Sequence, residues 1–383
     1  MIKVAFFLDF PLSYNGGVNY YKNVFYALNN YYKDKLEVTL FVPSNLKDKN
    51  LKSFISNANI IKTSIIRRKS FLWFLSKICE KLFNYDFLKK KIVSDANIDI
   101  VFYCNNFINL GSKFKYVNWI PDFQFLHYPQ YWTKKQLLLE KKLIEKGSKN
   151  SDVVVLSSKD SLNDFLKLNN STCDRFKVIN FVSQIDNNVI FNSNILDKYS
   201  KDQFFYLPNQ FWFHKNHLTV FKAVKILLEK NINIKLLCSG VMKDFRNKDN
   251  YISNLLKYVS KNKLQENIIF LGIIPYEDVL GLIKKSIAVI NPSFFEGWSS
   301  TVEESKSLDK TVILSDIPIH REQNPEKGIF FNPNNPDQLS VILNKLNDSP
   351  PVFDLDYKKI EKKLKNRTKV FADKYYEMFN DLT

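Results

Sequence analysis

Short apolar runs alternate with longer segments of helical periodicity throughout the first half of the chain. Strands are predicted at residues 4–8, 38–42, 100–103, 116–120 and 153–156. Between the first two runs, Val18, Tyr21, Phe25 and Leu28 recur at helical spacing. Continuous apolar runs separated by amphipathic helices are typical of a parallel sheet that is covered on both faces.

The same pattern restarts after residue 200. Strands are predicted at 203–207, 234–238, 268–272, 288–290 and 312–314, and helices at 217–230 and 276–285. Residues 183–201 are polar, rich in Asn and Asp, and without periodicity, which favours an interdomain linker. We therefore expect two doubly wound, Rossmann-like α/β domains facing a cleft, with ligand at the carboxyl ends of the second domain's strands.

Composition and charge narrow the function classes. The 383 residues are 45% hydrophobic and 25% charged, which excludes a disordered chain and a disulfide-dense miniprotein. The net charge is +17, and residues 1–200 hold most of it, with 29 basic against 17 acidic residues. An anionic partner is therefore expected on the first half, either a phospholipid surface or a nucleic acid.

Cysteine usage and apolar run length add three expectations. Four dispersed Cys and four His offer neither a zinc site nor a disulfide framework. The start of the chain is expected to be a buried strand rather than a signal peptide. Since no apolar run reaches about 18 residues, we expect a soluble protein. The dispersed cysteines favour a reducing compartment.

The segment 291–304 carries the most informative chemistry. Glu296 and Glu304 are eight residues apart, so one is expected in the loop after a strand and the other inside the following helix. Carboxylates hydrogen-bond sugar and ribose hydroxyls well. Small residues at the helix start leave backbone N–H groups open to an anion, namely Gly297, Ser299 and Ser300. The alternative is a solvated helix with acidic residues placed favourably in its first turn.

Several ordered motifs together resemble one family. They are residues 15–18, 120–129, 208–217, 292–297 with Glu304, 315–322 and 328–333. In this order and spacing they are similar to the retaining, nucleotide-sugar-dependent glycosyltransferases of the GT-B fold, family 4 (glycosyl transferases group 1). The resemblance implies a donor site on the C-terminal domain and an acceptor site on the N-terminal domain.

The resemblance also implies roles for single residues on the donor side. Glu296 would contact hydroxyls of the transferred sugar, and Glu304 would hold the ribose. Lys215 would bind the diphosphate and stabilise the charge that develops on the leaving group. Its usual arginine partner is Gln210 here, which can donate a hydrogen bond but brings no charge. Backbone groups at Gly297, Trp298, Ser299 and Ser300 would meet the diphosphate, and Ile273 would lie near the base.

On the N-terminal side, the resemblance singles out His127, Asp122, Gly16 and Gly17. His127 matches the family's histidine near the reacting sugar, where it orients the sugar; taken alone, a packed structural histidine is the commoner reading. Asp122 is expected on the acceptor side. Gly16 and Gly17 would let the backbone approach the donor phosphates or the acceptor; a bare turn is the alternative.

No metal or cofactor is expected. Asp354-Leu355-Asp356 looks like the DxD metal motif of another glycosyltransferase fold, but it lies in a polar segment away from the other motifs. The nucleotide sugar is itself a substrate. GDP- and UDP-sugars are the expected donors.

Residues 60–91 predict a surface for an anionic membrane. Nine basic residues lie among apolar and aromatic positions of helical spacing, namely Lys62, Arg67, Arg68, Lys69, Lys77, Lys81, Lys89, Lys90 and Lys91. The alternative is a helix packed on the sheet with a solvated basic face. No nucleic-acid-binding module is recognisable, and nucleic acid is not expected as a partner.

The expected protein is thus a cytoplasmic enzyme associated with the inner face of the membrane. It would transfer a sugar from a nucleotide donor to a glycan or lipid-linked glycan in bacterial surface-polysaccharide assembly (O-antigen, capsule or lipopolysaccharide). The alternatives are a non-catalytic nucleotide-sugar-binding subunit of an assembly complex and, less favoured, another GT-B enzyme such as an epimerase. Residues 1–185 would form the acceptor-side domain and 186–365 the nucleotide-sugar-binding domain. By resemblance, 366–383 would cross back to the first domain.

Overall fold

The computed structural model describes residues 1–12, 14–168, 175–185, 193–243, 250–351 and 356–383. The chain divides into two compact units. The first comprises Met1–Val182 with Lys365–Thr383, and the second comprises Ser183–Leu364. The breaks lie within a few residues of the boundaries expected at 185 and 365.

In the described residues, the first unit is built on a seven-stranded parallel sheet. Its strands are β1 Ile2–Phe7, β2 Leu36–Pro43, β3 Asn59–Thr63, β4 Ile100–Cys104, β5 Lys115–Ile120, β6 Val153–Leu156 and β7 Phe176–Val178. The order across the sheet is β3-β2-β1-β4-β5-β6-β7. The helices are α1 Asn15–Tyr32, α2 Lys52–Ile55, α3 Phe71–Phe83, α4 Phe87–Asp95, α5 Gln124–His127, α6 Lys134–Asn150 and α7 Lys159–Leu168.

The second unit has a six-stranded parallel sheet within the described residues. Its strands are β8 Phe205–Leu207, β9 Leu236–Ser239, β10 Ile268–Gly272, β11 Val289–Asn291, β12 Val312–Ser315 and β13 Gly328–Phe331, in the order β10-β9-β8-β11-β12-β13. The helices are α8 Asn194–Lys198, α9 His217–Glu229, α10 Tyr251–Lys261, α11 Tyr276–Lys285, α12 Ser300–Ser307, α13 Pro318–Gln323 and α14 Pro336–Asp348.

The last helix, α15 (Tyr357–Asn380), returns the chain to the first unit. Its Tyr375 is fully buried, and the Tyr375 hydroxyl contacts the hydroxyl of Tyr20 on α1. The rings of Tyr376 and Tyr32 stack with centroids 4.1 Å apart. The buried aromatic residues Phe371, Tyr375 and Phe379 recur every four positions and so lie on one face of the helix.

The expected fold class of two Rossmann-like α/β units is confirmed. The central strands were predictable because both of their faces are buried. The strands β3, β7 and β13 were missed; all three are edge strands that are only partly buried, as is β10, which was predicted. The linker assignment over 183–201 is wrong for residues 194–198. Ser193 caps α8 there by accepting from the N–H of Leu196, whose side chain is buried.

Each sheet reverses its strand order at one point. The reversal falls between β1 and β4 in the first unit and between β8 and β11 in the second. Crossover connections leave such neighbouring strands toward opposite sides, which opens a crevice at their carboxyl ends. These two edges are where ligand-binding side chains are expected.

Candidate active site

The loops that follow β8 and β11 meet at the reversal point of the second unit. The side-chain amide of Asn209 donates to Oδ1 of Asn291 at 3.1 Å, and both residues are buried. The hydroxyl of Thr301, on α12, donates to Oδ1 of Asn209 at 3.2 Å. This buried amide network fixes the two loops and the start of α12 against one another.

Lys215 and Glu296 form an ion pair at this edge. Lys215 Nζ lies 2.6 Å from Glu296 Oε1, and the hydroxyl of Ser293 donates to the same oxygen at 2.7 Å. The side chains are only 14% and 9% exposed, respectively, so water screens the pair weakly. Burial alone would raise the pKa of Glu296, but the Lys215 charge, the nearby His320 and the two hydrogen bonds outweigh it and lower that pKa.

Backbone geometry places Lys215. It ends a short helical turn, Phe213–Lys215, and is followed by Asn216 in the left-handed region at φ 54°. The Asn216 amide donates to the carbonyl oxygens of Pro292 (3.0 Å) and Pro333 (2.9 Å). Asn tolerates this conformation better than most residues, so the sequence Lys215-Asn216 holds the ammonium group over the β11 loop.

Glu304 lies on α12, and its hydrogen-bond partner is Tyr276 rather than Lys215. The residue is 5% exposed, and Oε1 of its carboxylate accepts a hydrogen bond from the Tyr276 hydroxyl at 3.0 Å. Burial raises the pKa of Glu304 to about 7, and the Tyr276 hydrogen bond offsets part of that rise. Near neutral pH this carboxyl group therefore exchanges between its charged and neutral forms.

The N-terminus of α12 is tied down by Gln323. Ser299 caps the helix, and its own N–H donates to the Gln323 side-chain oxygen at 3.2 Å. The Gln323 amide donates back to the Ser299 carbonyl at 3.0 Å. The Ser299 N–H, which was expected to face the diphosphate, is thus already engaged, whereas Gly297, Trp298 and Ser300 lie partly exposed beside it.

Gln210 and Ile273 lie on the loops that follow β8 and β10. The Gln210 side-chain oxygen accepts from the Val241 N–H at 2.7 Å, so its amide NH₂ is the end that can donate to an anion. Gly240, at φ 142°, approaches the Asn209 carbonyl so closely that a Cβ atom would lie 2.5 Å from it. Ile273 is exposed, next to Gly272 at φ 67°.

His127, Asp122, Gly16 and Gly17 all belong to the first unit. His127 Nε2 lies 2.6 Å from Oδ2 of Asp164 on α7, a hydrogen bond that raises the pKa of His127. Asp122 accepts the N–H of Gln124 at 2.9 Å, which stabilises the short helix α5.

The two glycines lie in the first turn of α1 rather than ahead of it. A Cβ on Gly17 would come within 2.5 Å of the Tyr14 ring. Close packing against Tyr14 therefore requires a glycine at position 17 whatever else the turn binds.

The reversal point of the first unit holds a second polar pair that the sequence reasoning missed. Asp9 follows β1, Asn106 follows β4, and the Asn106 amide donates to Oδ2 of Asp9 at 3.2 Å. The rings of Phe10 and Tyr14 lie beside this edge, with centroids 5.6 Å apart. Carboxylate, amide and aromatic groups together are suited to the hydroxyls and apolar face of a sugar ring.

Other site residues were also missed, although some left a signal. Asp164 falls on the buried stripe of α7, where an acidic residue among apolar neighbours indicates a buried partner. Asn209 and Asn291 each stand directly after or at the end of a central strand. Tyr276 left no signal, because its contact with Glu304 joins residues 28 positions apart.

An apolar and basic surface covers part of the first unit. Five apolar residues of α3 are exposed, namely Phe71, Leu72, Phe74, Leu82 and Phe83. Arg67, Arg68 and Lys69 are exposed just before the helix. The expectation that Lys89 contributes charge to this surface is wrong, since it is buried and lies 3.8 Å from Asp86.

The predicted membrane segment contains no spanning helix. No helix in the described ranges is both long enough and apolar enough to cross a bilayer.

The DxD-like segment falls largely outside the described residues, which omit 352–355. The prediction that no metal is required stays a prediction.

The chain is similar in sequence to known glycosyltransferases. Residues 189–369 match the family of glycosyl transferases group 1. Over 250 residues the chain is 24% identical to the O-antigen chain mannosyltransferase RfbU of Salmonella typhimurium, a match that covers 62% of this chain and 65% of that protein.

Solved structures share the whole fold. A glycosyltransferase from Rickettsia africae superposes with a TM-score of 0.65 at 16% identity, covering 100% of this chain and 98% of that one. Anabaena Alr3699/HepE, solved with UDP-glucose, superposes with a TM-score of 0.62 at 14% identity, with the same coverage. The chain thus has the GT-B fold of known glycosyltransferases, and its match to the glycosyl transferases group 1 family lies mainly in the second unit.

Proposed function

We propose that the protein is a retaining glycosyltransferase that moves a sugar from a nucleotide donor to a glycan or lipid-linked glycan acceptor. The observation that carries the proposal is the buried Lys215–Glu296 pair at the reversal point of the second sheet, with Glu304 on the next helix. A cation and two carboxylates at this edge provide one contact each for a diphosphate, a sugar and a ribose.

The charges suggest how the donor enters. The diphosphate takes the Lys215 ammonium group away from Glu296, and Glu296 then accepts hydrogen bonds from hydroxyls of the sugar. In the reaction, the bond from the anomeric carbon to the diphosphate breaks, and the acceptor oxygen forms its bond to that carbon on the same face, so that configuration is retained. The bonding electrons leave with the diphosphate, whose new charge Lys215 stabilises, and the acceptor's hydroxyl proton is released.

The donor is proposed to be a UDP- or GDP-sugar. Support comes from the relatives, since Alr3699/HepE was solved with UDP-glucose and RfbU is named as a mannosyltransferase of the O-antigen chain. The same relative supports a role in bacterial surface-polysaccharide synthesis. Retention of configuration and membership of family 4 are proposed from the motifs around Glu296 and Glu304.

Acceptor recognition is proposed for the reversal point of the first unit. Asp9 and Asn106 lie there at hydrogen-bonding distance from one another, next to the rings of Phe10 and Tyr14. His127, held by Asp164, and Asp122 are the further acceptor-side residues.

The membrane partner is proposed to be an anionic lipid surface that binds through residues 60–91, at the inner face of the cytoplasmic membrane. The exposed apolar side chains of α3 weigh against the packed-helix alternative, since Phe71 is 75% exposed. Arg67, Arg68 and Lys69 supply charge complementary to anionic headgroups. On α6, whose Lys146 lies 3.9 Å from Glu80 of α3, Leu138 and Leu139 are exposed as well.

A non-catalytic nucleotide-sugar-binding subunit is the second candidate. It is favoured only by Gln210, which stands where the resemblance has an arginine and whose oxygen is fixed by Val241. The polar contacts of Lys215, Glu296 and Glu304 favour catalysis instead.

The experiment that tests the proposal begins with binding. Thermal unfolding is measured with UDP-, GDP-, ADP- and dTDP-sugars, because a ligand at about 100 times its Kd stabilises by about 2.7 kcal/mol. The stabilising donor is then incubated with the enzyme without acceptor. Slow release of the nucleoside diphosphate supports the enzyme, and binding without any release by wild-type protein supports the subunit.

A further inference from the structure

Tyr276 stands at the first position of α11, directly after the short loop that contains Ile273, where the nucleobase was expected. Tyr276 is 43% exposed, yet its hydroxyl reaches inward to the carboxylate of Glu304, a residue that is 5% exposed. The distance from that hydroxyl to Oε1 of Glu304 is 3.0 Å. Tyr276 thus joins the surface of the loop to the buried acid.

The Glu304 carboxylate has two oxygens in different situations. Oε1 is occupied by the Tyr276 hydroxyl, whereas no donor within the described part of the chain is hydrogen-bonded to Oε2. A carboxylate that is held through one oxygen presents the other in a fixed direction. An unheld carboxylate would instead rotate about its last side-chain torsion, which is broad for Glu.

We propose that Tyr276 is a positioning residue of the donor site, whose hydroxyl holds Oε1 of Glu304 so that Oε2 accepts hydrogen bonds from the ribose hydroxyls of the bound nucleotide. This inference rests on the proposed function, in which Glu304 binds the ribose. It adds a residue from a different helix, placed 28 positions away in sequence. Tyr276 itself touches neither the transferred sugar nor the diphosphate in this role.

The contribution of the Tyr276 hydroxyl to the pKa of Glu304 can be measured, because few other titratable groups act on this region. The titratable groups that act on this region are Tyr276 from α11 and Tyr206 from β8, with Glu277 beside Tyr276 and with Asp278 and Cys238 near Tyr206. Burial raises the pKa of Glu304 and the Tyr276 hydrogen bond lowers it. Removing that hydroxyl therefore raises the pKa of Glu304 further. At a given pH, a smaller fraction of the protein then has the charged Glu304 carboxylate that accepts the ribose hydrogen bonds.

Isothermal titration of the full-length protein with UDP and with GDP, from pH 6 to pH 8.5, tests the inference. We expect Tyr276→Phe to weaken the binding of the nucleotide that wild type accepts by about 2- to 10-fold at pH 8, the range of one hydrogen bond. The pH midpoint of binding should move upward. With a nucleotide-sugar donor, the KM for donor should rise while kcat at saturating donor stays near wild type.

Tyr206→Phe is the matched control. It removes another tyrosine hydroxyl from the same neighbourhood, one that is hydrogen-bonded to Ser239 at 2.5 Å rather than to Glu304. This variant should keep the wild-type pH midpoint. A purely structural role for Tyr276 would instead lower thermal stability and leave the nucleotide affinity at pH 8.5, the alkaline end of the titration, at the wild-type value.

Glu304→Gln distinguishes a failure of the positioning role of Tyr276 from a failure of the proposed ribose contact of Glu304. If Glu304→Gln weakens nucleotide binding but Tyr276→Phe keeps the wild-type affinity and midpoint, the positioning role is overturned and the ribose contact stands. If Glu304→Gln binds UDP and GDP as wild type does, the ribose contact itself is overturned, and the positioning role with it.

Discussion

Lys215 and Glu296, which the sequence motifs assign to the diphosphate and the sugar of one donor, are paired with each other at 2.6 Å. The pair spans 81 residues of sequence and joins the loops after two neighbouring strands. Both side chains are largely buried, and a buried charge without a partner is strongly destabilising. The ion pair gives each charge a partner while the site holds no substrate. In the proposed function, donor binding is therefore an exchange of partners at Lys215 rather than the filling of an empty charged site.

Glu296→Gln should abolish transfer and keep nucleoside diphosphate binding, or tighten it. The amide has nearly the same shape but no charge, so Lys215 is released from its partner and becomes fully available to the diphosphate. Titration calorimetry with UDP and GDP, together with product analysis, measures both effects. Glu303→Gln is the control, since Glu303 is also a buried carboxylate, lies on α12 and pairs with Lys306 at 3.1 Å. Near-wild-type turnover by Glu296→Gln would contradict its assignment to the sugar.

Lys215→Ala should reduce turnover by about 10²- to 10³-fold, the scale of one preorganised electrostatic contact. It should also lower the free energy of unfolding by about 3–5 kcal/mol, since Glu296 is left buried without its ion-pair partner. The double variant Lys215→Ala/Glu296→Ala should recover stability but not activity. Chemical denaturation and steady-state kinetics separate the two effects.

An exposed pair serves as the comparison for Lys215. Lys225 and Glu229 lie 2.9 Å apart on α9, with side chains 36% and 60% exposed. Lys225→Ala should change neither turnover nor stability measurably, because exposed pairs contribute little. Unchanged turnover in Lys215→Ala would show that the diphosphate does not bind at this lysine.

The pKa of Glu304, about 7, predicts two pH effects of opposite sign. The ordinary value of 4.5 applies to the unfolded chain, so between pH 4.5 and 7 the folded state holds more protons and unliganded stability falls as pH rises, by about 3 kcal/mol in total. Nucleotide binding should strengthen over the upper part of that window as the carboxylate forms. Glu304→Gln should flatten both profiles, measured by urea denaturation and by calorimetry; unaltered profiles would assign the proton to another group.

Asp9→Asn should impair transfer to the acceptor while leaving nucleotide binding and slow donor hydrolysis unchanged. Its carboxylate lies at the carboxyl edge of the first sheet, beside the Asn106 amide. Asp99→Asn is a control at the opposite edge, where Asp99 accepts the N–H of Lys3 at 2.9 Å. The ratio of transfer to hydrolysis is the quantity to measure. Equal ratios in Asp9→Asn and wild type would remove Asp9 from the acceptor site.

Neutralising Arg67, Arg68 and Lys69 to Gln should release the protein from anionic vesicles and spare activity on a soluble acceptor. Each basic residue near an anionic surface contributes about 1 kcal/mol, and at 0.1 M salt the Debye length is about 10 Å, so binding should weaken steeply with ionic strength. The control removes three exposed lysines of the second unit, Lys222, Lys257 and Lys261, at equal net charge. Equal cosedimentation of both variants would show a non-specific effect of charge.

The apolar face of α3 needs its own test. Phe71→Ser/Phe74→Ser removes two exposed rings without changing charge. Weaker vesicle binding with unchanged thermal stability is expected, because these side chains pack against little of the protein. A large loss of stability would instead indicate that the helix buries this face.

The sequence by itself determined the central strands, the helices α1, α9 and α11, and the positions of Glu296, Glu304 and Lys215 relative to strand ends. It could do so because strands buried on both faces must be apolar throughout, and because motif residues are read at fixed offsets from those strands. In the C-terminal segment, Phe371, Tyr375 and Phe379 recur at helical spacing in the sequence, and all three are buried in the structure.

Only the tertiary structure decided which partners these residues have. The pairing of Lys215 with Glu296, of His127 with Asp164 and of Tyr276 with Glu304 depends on which strands are neighbours in the sheet and on where each loop turns. The raised pKa of Glu304 likewise comes from burial, which is set by packing between distant segments. A local pattern fixes which residues stand at the strand ends, whereas charge, hydrogen bonding and burial there are properties of the folded neighbourhood.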